Sequence, residues 1–224
     1  MSARGILVAA LCLATLSGLA GTGVHVVGDW PGDLGSAWQQ REFAGTTRYR
    51  AAADDPRTIV ATAEASASAL YREIEIDLRE TPWLQWSWRV DRLPDITAPE
   101  TEKAGDDYGA RIYVVREGFF GKLSARALNY VWSQRQPRGS RWPNAFTGNA
   151  ILWSVQQGRE RTGEWITHTR NVREDWRAAF GTDIESLDGV ALMTDADNSG
   201  SRSAARYGRI RFCADPDCSA DRAP

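Results

Sequence analysis

Alternation of apolar and polar residues with a period of two is the feature that most constrains this chain. Between Trp83 and Val90 every second residue is leucine, tryptophan or valine, and the residues between them are polar. The same alternation recurs at 72–78, 128–133, 151–155 and 207–213. A strand with one buried face has this period, whereas an amphipathic helix repeats every three to four residues. The chain is therefore predicted to consist mainly of strands.

The number and order of these segments favour an all-β fold. Eight to ten short strands without alternating helices predict an antiparallel two-sheet sandwich of the jelly-roll type. A turn at Asp54-Asp55-Pro56 predicts a hairpin. One short helix is predicted near 172–180, where Asn171 caps the first turn and Gly181 ends the last. No internal repeat interrupts the chain, so a single domain is predicted over residues 30–224.

The first segment, residues 1–20, is predicted to be a secretory signal peptide. Arg4 precedes an apolar run at 6–16, and small residues follow that run. The run is shorter than the about 20 residues that a membrane span requires, and no later stretch is comparably apolar. We therefore expect a periplasmic or secreted protein with no membrane span after signal cleavage.

Composition excludes one class of partner. The chain has 27 lysines and arginines against 29 aspartates and glutamates, a formal charge of −2. That balance gives no general attraction to nucleic acid, so no nucleic-acid partner is expected. Nothing in the sequence predicts an oligomeric state.

The cysteines fit an exported protein. Cys213 and Cys218 are separated by Ala-Asp-Pro-Asp, and Cys12 lies within the signal peptide. An oxidising compartment favours a disulfide between two cysteines so close together. The disulfide is predicted to pin the tail that follows the last strand.

Three predicted connections are longer than the usual two to six residues. The first long loop is 91–107, the second long loop is 134–149, and the third long loop is 195–206. Loops of a sandwich gather at its two ends, and binding sites favour loops mounted on a rigid scaffold. The three loops are therefore where functional residues are expected, if they share one edge.

Four sequence blocks resemble a bacterial family of exported proteins that has no assigned function. They are Lys-Ala-Gly-Asp-Asp-Tyr at 103–108, Leu-Asn-Tyr-Val-Trp-Ser at 128–133, Arg-Asn-Val at 170–172 and Met-Thr-Asp-Ala-Asp-Asn-Ser-Gly at 193–200. The resemblance covers most of the mature chain. It implies a sandwich similar to galactose-binding-like folds and carbohydrate modules, and it implies no activity. At 143–146, Pro-Asn-Ala-Phe departs from the Pro-Asn-Pro-Tyr that such proteins usually carry.

The third long loop opens like a calcium loop. Asp195, Asp197 and Ser199 place oxygen-bearing side chains at alternate positions before Gly200. The match ends at Arg206, where such a loop has a glutamate. Either Asp106 or Asp107 completes a Ca²⁺ site from the first long loop, or the segment is a turn whose aspartates pair with arginines. Ca²⁺ is the one cofactor that the sequence suggests.

The same aspartates could instead be the catalytic carboxyl groups of a hydrolase. A glycosidase needs two carboxyl groups roughly 5–10 Å apart, and Asp106 or Asp107 facing Asp195 or Asp197 would supply them. A histidine-activated nucleophile would have to use His168, and no nucleophile-elbow motif accompanies it. A histidine in a strand is more often structural.

The leading hypothesis is a non-catalytic module that binds a glycan or another envelope component. An exposed tryptophan suits a sugar ring, since it offers a broad apolar face and one hydrogen-bond donor. Of the ten tryptophans, four share a strand face with aliphatic residues and are predicted to be core, namely Trp86, Trp88, Trp132 and Trp153. Trp142 and Trp83 stand beside turns, and Trp142 is predicted to be exposed. The predicted contact residues are Lys103, Asp106, Asp107, Arg111, Asn129, Trp142 and Asn144. The alternatives are the aspartate hydrolase and a structural module that binds another protein.

Overall fold

The computed structural model describes residues 23–30, 34–118 and 121–218. The predicted signal peptide lies outside the described residues. The described residues form thirteen strands, one α-helix and a short 3-10 helix at Lys103–Gly105. In chain order these elements are β1 (Val24–Gly28), β2 (Gln39–Ala44), β3 (Arg48–Ala51), β4 (Ile59–Glu64), β5 (Ala67–Asp77), β6 (Trp83–Arg92), β7 (Arg111–Gly118), β8 (Gly121–Ser133), β9 (Arg141–Pro143), β10 (Ala150–Gln157), β11 (Ile166–Asn171), α1 (Val172–Phe180), β12 (Ser186–Met193) and β13 (Arg202–Cys213).

The strands form two sheets, which confirms the predicted sandwich. The smaller sheet has the order β11-β6-β13-β4-β3, with β1 paired to β13 beside β4. The larger sheet has the order β2-β5-β12-β7-β8-β10-β9. One pair departs from the antiparallel prediction, because β8 and β10 run parallel. A parallel pair needs a long connection between its strands, and the second long loop provides it.

Aromatic rings from both sheets fill the space between them. Trp86 stacks on Tyr130 with ring centroids 5.2 Å apart, and Trp88 meets Trp86 edge to face at 5.4 Å. The imidazole of His168 lies 5.2 Å from Trp86 and 5.3 Å from Trp88. The alternating tryptophans are therefore core residues, as predicted, and His168 belongs to the core with them.

The helix confirms its predicted start and end. The side chain of Asn171 accepts a hydrogen bond from the backbone N–H of Glu174 at 3.1 Å. Gly181 ends α1 with a φ of 68°, a left-handed conformation that glycine adopts without strain. Within the first turn, Asp175 accepts a hydrogen bond from the hydroxyl of Tyr130 at 2.8 Å, which ties the helix to β8.

Several boundaries differ from the sequence-based expectation. β1 extends the sandwich to before residue 30, where the domain was predicted to begin. β7 begins at Arg111 and not at Tyr108, because the side chain of Asp195 takes the Tyr108 N–H at 3.1 Å in place of a strand partner. The predicted hairpin is present between β3 and β4.

The end of the described chain carries the predicted disulfide. Cys213 is the last residue of β13, and it is bonded to Cys218 with the Cα atoms 5.3 Å apart. No helix in the described ranges is long and apolar enough to cross a membrane.

Candidate functional site

Two buried carboxylates of the first long loop hold the three long loops together. Glu100 accepts hydrogen bonds from the hydroxyl of Ser133 at 2.6 Å and from the backbone N–H of Gln134 at 2.7 Å, where the second long loop begins. Asp107 accepts a hydrogen bond from the backbone N–H of Ser199 in the third long loop at 2.7 Å. The three loops therefore meet at one place, which we call the loop junction.

Arg111 lies at the centre of the loop junction and is buried. Its Nε donates to Oδ1 of Asp195 at 3.1 Å, and one of its amino groups contacts the other oxygen of that carboxylate. A second amino group lies 3.6 Å from Asp106, and the guanidinium lies over the ring of Tyr108 at 4.3 Å. Burial raises the pKa of Asp195, and the nearby charges of Asp107 and Asp106 raise it further, against the attraction of Arg111. The junction is an internal ion-pair network.

The predicted calcium ligands do come together, and two of the carboxylates, Asp107 and Asp195, already accept hydrogen bonds from the chain. Carboxylate oxygens of Asp107, Asp195 and Asp197 lie within 4.8 Å of one another. Asp195 accepts hydrogen bonds from Arg111, and both oxygens of Asp107 accept backbone N–H groups of the third long loop. A guanidinium supplies the positive charge there, as in the alternative of a turn whose aspartates pair with arginine.

The same burial bears on the hydrolase hypothesis. Asp107 is 0% exposed, Asp195 is 1% exposed and Asp106 is 4% exposed. A general acid or nucleophile must reach the glycosidic bond of its substrate. The arrangement therefore brings these carboxyl groups together without offering an accessible pair.

The exposure predicted for Trp142 is wrong, since only 7% of the residue is exposed. β9 pairs with β10 so that Trp142 stands opposite Leu152 on the outer face of the larger sheet. Tyr108 covers that face, with its ring centroid 6.4 Å from the indole. Trp142 is therefore buried in a small hydrophobic cluster, and its indole offers no free face to a sugar.

The other predicted contact residues divide by exposure. Lys103 is exposed, and its ammonium lies 5.2 Å from the ring of the exposed Phe146. Asn144 is partly buried and donates to Asp106 at 2.9 Å. Asn129, predicted to line an open sheet face, is 1% exposed, so its expected accessibility is wrong.

The tryptophan that does reach the surface is Trp165, which is 44% exposed. It directly precedes β11, whose first residue, Ile166, points into the core, so Trp165 points outward from the smaller sheet. Its ring extends to Gly208 of β13, where an ideal Cβ would lie 3.5 Å from Cζ3 of the indole. The same Cβ would lie 2.2 Å from the hydroxyl oxygen of Ser87, so only glycine leaves room at this position.

The side chains beside this tryptophan on the outer face of the smaller sheet include several uncharged polar groups, with Arg211 bonded to one of them, Gln85. Thr167 stands opposite Ser87, and Gln85 donates to the hydroxyl of Thr169 at 3.1 Å across the pair β6 and β11. We call this surface the Trp165 face; its residues are Gln85, Ser87, Trp165, Thr167, Thr169 and Gly208. It combines one open indole ring with hydroxyl and amide groups.

Sequence reasoning missed this face, although the signal is present. Ile166 and His168 are the buried residues of the segment, so the period of two turns Trp165, Thr167 and Thr169 outward. Glu100 was missed as well, and a single glutamate in a loop carries no pattern that would reveal its role.

Comparison with known proteins gives the family. A family model described as "Protein of unknown function (DUF3047)" matches residues 36–211, so the chain belongs to this family. A search of curated proteins finds no match.

Similar solved structures are mostly modules that bind carbohydrate. A family 11 carbohydrate-binding module of a cellulosomal cellulase from Clostridium thermocellum has a TM-score of 0.46 and 10% identity, covering 85% of this chain and 94% of that chain. A CBM29-2 mutant complexed with cellulohexaose has a TM-score of 0.43 and 8% identity, covering 90% and 95%. The xyloglucanase domain of NopAA from Sinorhizobium fredii has a TM-score of 0.41 and 8% identity, covering 78% and 92%. At such low identity, function is argued below from the chain's own residues.

Proposed function

We propose that this protein is an exported, non-catalytic module that binds a glycan on the Trp165 face. The observation that supports the proposal is the exposed indole of Trp165, seated over Gly208 among hydroxyl and amide side chains. The predicted signal peptide and the disulfide between Cys213 and Cys218 support export. On this proposal the glycan belongs to the cell envelope or to the surroundings of the cell.

The chemistry of the face matches that of a sugar ring. A pyranose has C–H groups on its faces and hydroxyls around its edge, so its face packs on an aromatic ring while its edge forms hydrogen bonds. Ser87, Thr167 and Gln85 can donate and accept beside the indole. Uncharged partners of this kind form hydrogen bonds with hydroxyl groups.

Rigidity of the face favours binding as well. The indole lies against Gly208 of β13, and Ser87 stands on β6, an interior strand of the smaller sheet. Groups that are already held in place lose little conformational entropy when a ligand binds. The Trp165 face therefore needs no rearrangement to accept a flat ring.

Titration of the mature protein with a panel of envelope and extracellular oligosaccharides by calorimetry tests the proposal. Trp165→Ala removes the stacking surface, and we expect the affinity for the bound oligosaccharide to fall roughly tenfold or more. The intrinsic tryptophan fluorescence of the wild-type protein should change on binding, and this change should be lost in the variant.

Phe43→Ala is the control, because Phe43 is also an exposed aromatic residue, 59% exposed, on β2 of the larger sheet. This variant should bind as tightly as the wild type. If Trp165→Ala binds every active oligosaccharide with unchanged affinity, the Trp165 face is not the site and the proposal is wrong.

A further inference from the structure

A cavity of about 300 Å³ lies at the end of β6, beside the Trp165 face. Its lining is mostly charged and consists of Asp91, Arg92, Leu93, Asp95, Arg159 and Thr162. The cavity is part of neither the loop junction nor the six residues of the Trp165 face.

Two contacts make the cavity continuous with the Trp165 face. The register of β11 and β6 begins with Ile166 opposite Trp88, and continuing it by one residue places Trp165 beside Arg89 on the outer surface of the smaller sheet. Arg89 donates to Asp91, which lies two residues further along the same face and lines the cavity, at 2.6 Å. The backbone N–H of Gly163 donates to the carbonyl of Val90 at 2.8 Å and holds the turn before Trp165 against β6. Two residues along a strand span about 7 Å, which is close to the length of one sugar ring.

The lining has two aspartates and two arginines, and one positive charge is in excess once Asp91 is assigned to its partners outside the cavity. Asp91 is neutralised from outside the cavity, since Arg89 and Arg206 both donate to it. The remaining arginines, Arg92 and Arg159, share the single carboxylate of Asp95, at 3.4 Å and 3.9 Å. One carboxylate at such distances cannot satisfy two guanidinium groups.

Both arginines are also free to change partner. The side chain of Arg92 is 53% exposed and that of Arg159 is 65% exposed. Ion pairs at this exposure are weak. Arg159 also donates to the side chain of Gln134, at 3.3 Å, and this long hydrogen bond does not use up its five donors.

We infer that the glycan bound at the Trp165 face is acidic, and that a sugar carboxylate next to the stacked ring lies in this cavity between Arg92 and Arg159. The inference rests on the proposed function and names the class of ligand. A guanidinium fork matches a carboxylate with two parallel hydrogen bonds, and one carboxylate balances the excess charge. Leu93 and Thr162 supply an apolar and a hydroxyl contact beside it.

The experiment uses matched acidic and neutral ligands. Oligogalacturonate and hyaluronan oligosaccharides are each compared with their carboxyl-reduced forms, in which a hydroxymethyl group replaces the carboxylate and the ring remains. We expect the mature protein to bind at least one acidic form about tenfold more tightly than its reduced form, and the difference to shrink as salt is added.

Variants separate this inference from the proposed function. Arg92→Gln combined with Arg159→Gln should lower the affinity for the acidic form to that of the reduced form, and should leave the reduced form unaffected. Trp165→Ala should weaken both. Arg41→Gln combined with Arg126→Gln removes the same two charges from exposed positions of β2 and β8 in the larger sheet and should change neither.

Equal affinity for acidic and reduced forms, or no effect of the double variant, overturns the inference while the Trp165 face stands as a glycan site. If neither the acidic nor the reduced form of either oligosaccharide shows binding that is weakened by Trp165→Ala, the inference of an acidic ligand is wrong. If in addition no member of the wider panel does so, the proposed function is wrong too.

Discussion

At the scale of single residues, His168 is an ionisable group enclosed by aromatic rings. Burial lowers its pKa from 6.5 to about 4, and the positive charges of Arg138, Arg170 and Arg161 act in the same direction. The folded state therefore holds the neutral imidazole. Between pH 6.5 and pH 4 the unfolded chain binds a proton that the folded chain excludes, so stability falls as the pH falls through this window.

Urea denaturation at pH 7 and pH 4 measures this effect. We expect the wild type to lose about 3 kcal/mol more of its free energy of unfolding than His168→Phe loses over the same interval. The phenylalanine keeps an aromatic ring in the core and takes no proton, and every other titrating group is common to both proteins. Equal losses in the two proteins would show that folding does not lower the pKa of His168.

Exposure of single residues could be predicted only in part. The alternation of β6 correctly gives Trp86 and Trp88 as buried, because their side of the strand faces the other sheet. The sequence also places Trp142 beside a turn, but it carries no information on what covers the indole. Tyr108 comes from a different part of the chain, so the burial of Trp142 is a tertiary effect that no local pattern reveals.

At the scale of elements, α1 depends on its first turn. Asn171→Ala removes the side-chain acceptor for the N–H of Glu174, and we expect a loss of about 1 kcal/mol in the free energy of unfolding. Chemical denaturation at neutral pH measures it. Asn149→Ala, in an exposed position of the second long loop, should change the stability by less than about 0.5 kcal/mol. An equal effect of both substitutions would mean that the cap is not what stabilises the helix.

Elements were predictable where their signals are local. In α1, the cap residue Asn171 and the final glycine, Gly181, each mark one end of the helix. In the strands, the period of two is visible within a few neighbouring residues. The parallel direction of β10 relative to β8 could not be predicted, because this pairing depends on the path of the second long loop. β9 folds back onto β10 within that loop, and no residue pattern in 141–143 distinguishes it from irregular chain.

At the scale of the whole molecule, the carboxylates of the loop junction are bonded to other groups of the same chain. Because donors of the chain already occupy the oxygens of Asp107 and Asp195, adding Ca²⁺ or a chelator should leave the thermal unfolding midpoint unchanged. If the site bound Ca²⁺, a free Ca²⁺ concentration of 100 times the dissociation constant would instead add about 2.7 kcal/mol to the free energy of unfolding. A Ca²⁺-dependent rise that disappears in Asp197→Asn would contradict this description.

Convergence of the three loops follows from the architecture that the sequence predicts, since connections of a sandwich gather at its ends. What the loops do there could not be predicted. An aspartate in a loop serves equally as a metal ligand, an acid catalyst or a partner of arginine, and the sequence does not show that Arg111, at the start of β7, lies against Asp195. That position is known only once the sheet is assembled.

The last strand of the sequence, β13, lies within the smaller sheet between β6 on one side and β4 and β1 on the other. Until residues 202–213 have been synthesised, these three strands have no common neighbour and one wall of the hydrophobic core is incomplete. Pairings between such distant segments make folding slow, and the smaller sheet cannot close before β13 has been synthesised.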